Sequence, residues 1–128
     1  MVDASAVLEV LLRTTVGARL EYRLLARGRS LHAPHLLDVE VAQVLRRYER
    51  ARALTPERGR EALADLADLP LQRYSHDVLL PRIWELRRNV TAYDAAYLAL
   101  AEALGAPFVT CDARLASAPG HDVEVEVF

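Results

Sequence analysis

From Ala95 to Leu104 the chain reads A-A-Y-L-A-L-A-E-A-L, with Glu102 as its one charged residue. A helix that is apolar almost all round belongs inside a domain and not on its surface. Asp94 leads directly into this helix and is carried toward the interior with it. A lone carboxylate there is costly unless it is protonated, hydrogen-bonded, paired with a cation or bound to a metal. The local answer is a capping box, Thr91-x-x-Asp94, with the acid near the positive end of the helix dipole. Taken alone, Asp94 is adequately explained as a cap. Three more acids in comparable settings shift the balance.

The size of the chain, 128 residues, suits one domain able to bury its apolar surface without staples. A 52% hydrophobic and 27% charged composition is that of a soluble globular protein. No apolar run has membrane length, and Asp3 interrupts any signal peptide, so a cytoplasmic location is expected. The single cysteine, Cys111, excludes an internal disulfide and a multi-cysteine metal cluster. A net charge of -2 means that any polyanion must be held by local patches. All 16 basic residues are arginine, which excludes a P-loop lysine and Schiff-base chemistry.

Met1 to Ala4 reads as the end of a very short strand. Ala6 to Leu12 fits a buried helix interrupted only by Glu9, with more apolar positions than one face requires. Val16, Leu20 and Leu24 continue as a second helical stripe that Gly28 would close as a C-cap. Leu31 to Pro34 is a second short strand. A helix from Leu37 or Asp38 carries Glu40 in its first turn and turns Val41, Leu45 and Tyr48 inward. Thr55-Pro56-Glu57 starts the next helix, with Ala62, Leu63, Leu66 and Ala67 as its stripe. Leu71 to Tyr74 is a third strand, followed by a helix from Ser75 or His76 to about Arg88 with Ile83, Trp84 and Leu86 inward. Gly105-Ala106-Pro107 stops the apolar helix, and Phe108 to Thr110 is a buried strand. Val123 to Val127 alternates strictly, as an edge strand does. Short strands alternating with helices predict an α/β fold, a parallel sheet with helices on both faces and no second domain.

Ligands in such sheets collect beyond the carboxyl ends of the strands. Asp3 follows the first strand and Asp112 the strand at Val109, while Glu40 and Asp94 occupy first turns of helices leaving the same edge. Four acids brought together repel and raise one another's pKa, so an ionised cluster calls for a divalent cation. Oxygen ligands alone select magnesium or manganese over zinc. Each acid also has a structural reading. Asp3 and Asp112 fit caps of the helices after them, Glu40 fits the helix dipole, and Asp38 is either that helix's cap or the ligand in place of Glu40.

Four segments in fixed order, D-A-S-A at Asp3, L-L-D-V-E-V-A-Q-V-L-R-R at Leu36, T-A-Y-D-A-A-Y-L-A-L-A at Thr91 and V-T-C-D-A-R-L-A at Val109, resemble the PIN-domain nucleases. Within that family the chain is most similar to the VapC toxins of bacterial toxin-antitoxin pairs. The resemblance runs from end to end. It implies a magnesium- or manganese-dependent endoribonuclease whose quartet falls on Asp3, Glu40, Asp94 and Asp112, with Ser5 and Thr110 supporting the site. It further implies a homodimer and a cognate antitoxin lying across the acidic groove. The apolar surplus of Ala6 to Leu12 fits some interface burial.

Two features depart from the family pattern. Hardly any residues precede Asp3, so the first strand is either frayed or preceded by an upstream start. Cys111 replaces a small residue and reads as a small hydrophobe.

In such a site water displaces the 3′ oxygen of the phosphodiester in line, and no side-chain nucleophile is needed. Arginines would grip the substrate as planar forks, with Arg46, Arg47, Arg50 and Arg52 beyond Glu40 and Arg87 and Arg88 before Asp94 as candidates. Each also fits a solvated face. His32, His35, His76 and His121 are too scattered to form a catalytic pair, and Tyr97 reads as core. A phosphoryl-accepting receiver domain fails for want of a lysine, and a dinucleotide-binding enzyme for want of G-x-G-x-x-G. The competing reading is a PIN fold that has lost its metal and binds RNA or protein without cutting.

Overall fold

Val2 forms a parallel bridge with Val109, and this one residue joins the two halves of the sheet. Its N–H donates to the His32 carbonyl at 3.0 Å, and the Val109 N–H donates to the Met1 carbonyl at 2.9 Å. On one side β1 (Leu31–Pro34) pairs in parallel with β2 (Leu71–Tyr74). On the other, β3 (Phe108–Thr110) pairs in parallel with β4 (Val125–Val127). The order across the sheet is therefore β2, β1, Val2, β3, β4. The structure is a computed structural model, and it describes residues 1–26 and 28–128. The expected first strand is reduced to a bridge, and β4 lies at an edge as its alternating glutamates require. Glu126 of β4 pairs with Arg23 through its Nε at 2.9 Å.

Among the described residues seven α-helices connect these strands: α1 (Ala4–Leu11), α2 (Thr15–Leu24), α3 (Leu36–Arg50), α4 (Pro56–Asp68), α5 (Leu80–Glu85), α6 (Ala92–Leu104) and α7 (Ala113–Ala116). Right-handed crossovers outward from Val2 to β1 and β2 place α1 to α4 on one face, and the return to β3 and β4 places α5 to α7 on the other. The packing agrees, since α1 touches α2, α3 and α4, whereas α6 touches α5 and the strands β1 and β3. The apolar stretch is α6, and Ala95 to Ala101 are buried without interruption. Glu102 is reached by Arg82, which donates to both carboxylate oxygens at 2.7 and 2.9 Å. Gly105 then ends the helix at φ 58°, the left-handed cap that its sequence position suggests.

Several expectations fail for identifiable reasons. The helix expected to run to Arg88 is cut into a 3-10 turn at Asp77–Leu79, the six-residue α5 and a second 3-10 turn at Leu86–Arg88. Ile83 and Leu86 face inward, but Trp84, about 100° round α5 from Ile83, is 68% exposed. Tyr48 and Leu63 are also exposed, and the inward stripe of α4 is Gly59, Ala62 and Leu66. Gly28 does not close α2, which is capped at Leu25. The apolar surplus of α1 does not stand free for a partner, because α2 packs against it. Among the described residues no helix is long and apolar enough to cross a membrane.

The α1–α2 contact depends on Gly17. A Cβ there would lie 2.0 Å from the Glu9 carbonyl oxygen and 2.5 Å from its carbon, both backbone atoms that cannot rotate aside. Gly17→Ala should therefore force the helices apart and cost about 2 kcal/mol or more of unfolding free energy in urea, despite alanine's better helix propensity. A loss below about 0.5 kcal/mol would contradict this packing.

Candidate active site

Asp3 ends the Val2 bridge and caps α1, its Oδ1 accepting the Ala6 N–H at 3.0 Å. The hydroxyl of Ser5 donates to the same oxygen at 2.7 Å, and the hydroxyl of Thr110, at the end of β3, donates to Oδ2 at 2.6 Å. The two hydroxyls also fix the backbone beyond β3. Cys111 N–H donates to Ser5 Oγ and Asp112 N–H to Thr110 Oγ1, each at 2.9 Å. Asp3 and Thr110 are the buried polar side chains of the core. Burial pushes the Asp3 carboxyl up, and the three donors pull against it without cancelling the effect.

Around this carboxylate lies a cleft of about 400 Å³, and Asp3, Glu40, Asp94 and Asp112 all line it. Glu40 projects from α3 and accepts the Tyr97 hydroxyl. Its carboxyl is pushed up by burial, against the pull of that hydroxyl, and further by the negative charges of Asp3 and Asp94. Tyr97 itself is buried and stacked on Phe108 at 5.9 Å between ring centroids, so it is a core residue whose hydroxyl reaches the cleft. Asp94 stands at the head of α6, where the Thr91 hydroxyl accepts its N–H at 3.1 Å and donates to its Oδ2 at 2.8 Å. Asp112 caps α7 and is gripped by Arg114, whose Nε lies 3.0 and 3.1 Å from its two oxygens. That guanidinium holds the Asp112 carboxyl below its usual range.

Other residues sort themselves clearly. Asp38 does not line the cleft and is not a cap; it forms a two-bond pair with Arg73 of β2 at 2.7 and 2.9 Å. The N–H of Leu36 at the start of α3 is received instead by His76 Nε2 at 3.1 Å. Arg47 lines the acidic cleft, whereas Arg46 and Arg50 are exposed on α3 and do not. Arg87 and Arg88 line an adjoining cleft that shares Asp94 and Asp112. Cys111 is half-buried in the cleft wall, and burial, then the charges of Asp3 and Glu9, push its thiol up and keep it protonated. Two residues of these walls escaped the sequence reading. Glu9 was visible only as the one charge in an apolar helix, and Arg114 only as the basic residue two places after Asp112.

As the side chains stand, no three acids, histidines or cysteines among the described residues are close enough to hold an ion. Thr91, Tyr97 and Arg114 each occupy one carboxylate that would have to turn. The donor set nonetheless fits a hard divalent cation. It consists of carboxylates from four separate elements, with a protonated thiol as the sole sulfur and with Glu40 held at raised pKa partly by its acidic neighbours.

Residues 1–120 match the PIN domain. The chain belongs to the PIN-domain family. This PIN domain is 44% identical over 128 residues to ribonuclease VapC1 of Mycobacterium tuberculosis, covering 99% of this chain and 96% of that one. It is 39% identical to ribonuclease VapC12 of the same organism, covering 99% and 97%, and 45% identical to a VapC ribonuclease of Mycobacterium bovis, covering 90% and 87%. Its fold is similar to that of PAE2754 from Pyrobaculum aerophilum, with a TM-score of 0.71 at 23% identity over 98% of this chain and 81% of that one. It is also similar to VapBC2 from Rickettsia felis, solved on a DNA fragment of its promoter, with a TM-score of 0.72 at 15% identity over 99% and 96%.

The raised Glu40 carboxyl has a measurable consequence for this PIN domain. Below the ordinary glutamate value of 4.5 the group is protonated in folded and unfolded chains alike. As pH rises through that value the unfolded chain releases its proton first, so the native state loses stability until the raised folded value is passed. Glu40→Gln removes this loss. Melting temperatures in chelator should show the variant gaining on the parent from about that pH upward, whereas a gap that does not change with pH would contradict the assignment.

Proposed function

We propose that this chain is a divalent-metal-dependent endoribonuclease that serves as the toxin of a toxin-antitoxin pair. One observation carries the reading. Carboxylates from α3, α6 and the loops after Val2 and β3 surround a single cleft, in a chain up to 45% identical to proteins named VapC ribonucleases. Asp3, Glu40, Asp94 and Asp112 would hold magnesium or manganese. When bound, such an ion supplies positive charge to the phosphodiester and acidity to the attacking water.

The chain's own share is positioning. Ser5, Thr110 and the Ala6 N–H hold Asp3 in one orientation, while the Tyr97 hydroxyl holds Glu40 at the cleft until it turns to the ion. Arg47 brings a guanidinium to the wall of the acidic cleft, where it can meet a phosphate of the RNA. Among the described residues, no serine or cysteine lining the acidic cleft has the base partner that a protein nucleophile would need, and the Ser30–His32 pair, 2.6 Å between Oγ and Nε2, lies outside that cleft. Ser5 donates to Asp3, which also receives the Ala6 N–H and the Thr110 hydroxyl, and Cys111 is held as a thiol. Water is the nucleophile that remains. The same reading assigns an antitoxin that covers the cleft and a homodimer, for which exposed Tyr22 of α2 and Leu25 at its cap offer apolar surface.

Asp94→Asn tests the reading, because asparagine can still receive the Thr91 hydroxyl while the cluster loses a charge. RNA cleavage in magnesium or manganese should fall about a hundredfold or more, the scale of a lost charge-stabilising group. Metal-induced thermal stabilisation should weaken with it. Asp38→Asn is the control. It breaks the Arg73 pair, costs up to about 1 kcal/mol of stability and leaves cleavage intact. Near-parental cleavage by Asp94→Asn, or cleavage that survives a chelator, would overturn the metal-dependent mechanism, and a parent chain that cuts no RNA in magnesium or manganese would favour a PIN fold that only binds.

A further inference from the structure

Arg114 stands where the acidic cleft meets a second cleft of about 600 Å³, walled by Arg87, Arg88, Thr91, Asp94, Asp112 and Arg114 itself. The two clefts share Asp94 and Asp112, so they are one continuous trough with acids at one end and three guanidinium groups at the other. The Arg114 side chain is 88% exposed, and all its hydrogen bonds go to the two oxygens of Asp112. Among the described residues it has no other hydrogen bond or ion pair, so it can swing away without disturbing the core. Arg87 is positioned differently. Its guanidinium lies over the Trp84 ring, 4.6 Å from the centroid, and donates to the Trp84 carbonyl at 2.7 Å. Exposed Trp84 thus has a role that burial would have denied it. Arg88 is exposed and has no ion pair among the described residues.

A cation entering the acidic cleft must compete with Arg114 for Asp112, because one carboxylate cannot face both positive charges at little cost. Once displaced, Arg114 is free beside Arg87 and Arg88, and three unpaired guanidinium groups in one trough recognise closely spaced phosphates. Resting on the metal-dependent reading above, we propose that Arg114 is a built-in counter-ion, which holds Asp112 in the metal-free chain and passes to the RNA backbone when the divalent cation binds. The trough of Arg87, Arg88 and Arg114 is then the track along which the single strand runs from the cleavage site. Metal and RNA bind with positive cooperativity, since the ion exposes a phosphate clamp that the metal-free chain keeps closed.

The test reads binding and not turnover. Manganese affinity is measured by calorimetry, and the affinity for a short oligodeoxyuridylate, which offers the phosphates without the 2′-hydroxyl, by fluorescence anisotropy with and without manganese. Arg114→Gln should tighten manganese binding roughly fivefold, the worth of one exposed ion pair, and weaken oligonucleotide binding in manganese by a similar factor, with a shallower salt dependence. Arg88→Gln should weaken the oligonucleotide alone. In the parent, manganese should strengthen oligonucleotide binding, and in Arg114→Gln most of that gain should vanish. A merely structural Arg114 would not move the two affinities in opposite directions. If the parent binds manganese and Arg114→Gln changes neither affinity, or changes both in the same direction, the counter-ion proposal is wrong and the metal reading stands. If the parent binds no manganese, both fall.

Discussion

A carboxylate sealed between the first turn of α1 and the end of β3 must be answered, and Asp3 is answered by three donors instead of a cation. The Ala6 N–H, Ser5 and Thr110 each reach it within 3.0 Å. Hydrogen bonds to a charged group contribute on the order of 1.5 to 3 kcal/mol each, comparable with the several kcal/mol that burying an ion costs. The group is tolerable but not neutralised, and its raised pKa records the remainder. The same hydroxyls receive the N–H groups of Cys111 and Asp112, so the network also sets where the last acid begins. A buried strain of charge and the layout of the cleft are therefore consequences of one cluster.

Capping and the proposed ligand role need not compete in this fold. Asp3 caps α1 and Asp112 caps α7, while Thr91 caps α6 and donates a hydrogen bond from its hydroxyl to Asp94. A helix start that follows a parallel strand points its free N–H groups at the carboxyl edge of the sheet, and an acid placed to receive them already faces the place where a ligand would sit. The caps aim the acids. Their negative charge then exceeds what the local dipoles and Arg114 can offset, as the acidic neighbours' effect on Glu40 shows.

The elements that were legible in the sequence are those whose signal is local. The burial of α6 follows from ten residues with one charge, the left-handed cap from Gly105, and the edge position of β4 from alternating glutamates. The four acids were legible because strand ends and helix starts are local signals too. What was not legible depends on contacts distant in sequence. Asp38 could be separated from Glu40 only once Arg73 of β2 was seen to claim it, 35 positions away. His76 supplies the receptor for the first N–H of α3 across 40 positions, where a cap beside the helix was expected. Trp84 and Leu63 were misjudged because an apolar residue near a helical stripe was assumed to join it. In both cases the contact face is narrow, and the residue one step, about 100°, beyond Ile83 or Ala62 turns outward. Arg114 carried no signal beyond its place next to Asp112.

Everything proposed for this chain requires that the acidic cleft around Asp3 take a divalent cation. Anomalous diffraction at the manganese edge, from crystals grown with manganese, reads this without any assay of activity. One or two strong peaks are expected in the cleft, within ligand distance of Asp3 and at least two of Glu40, Asp94 and Asp112, with the last turned away from Arg114. A cleft without a peak, its carboxylates still held by Thr91, Tyr97 and Arg114 while the ion binds elsewhere or not at all, would contradict it.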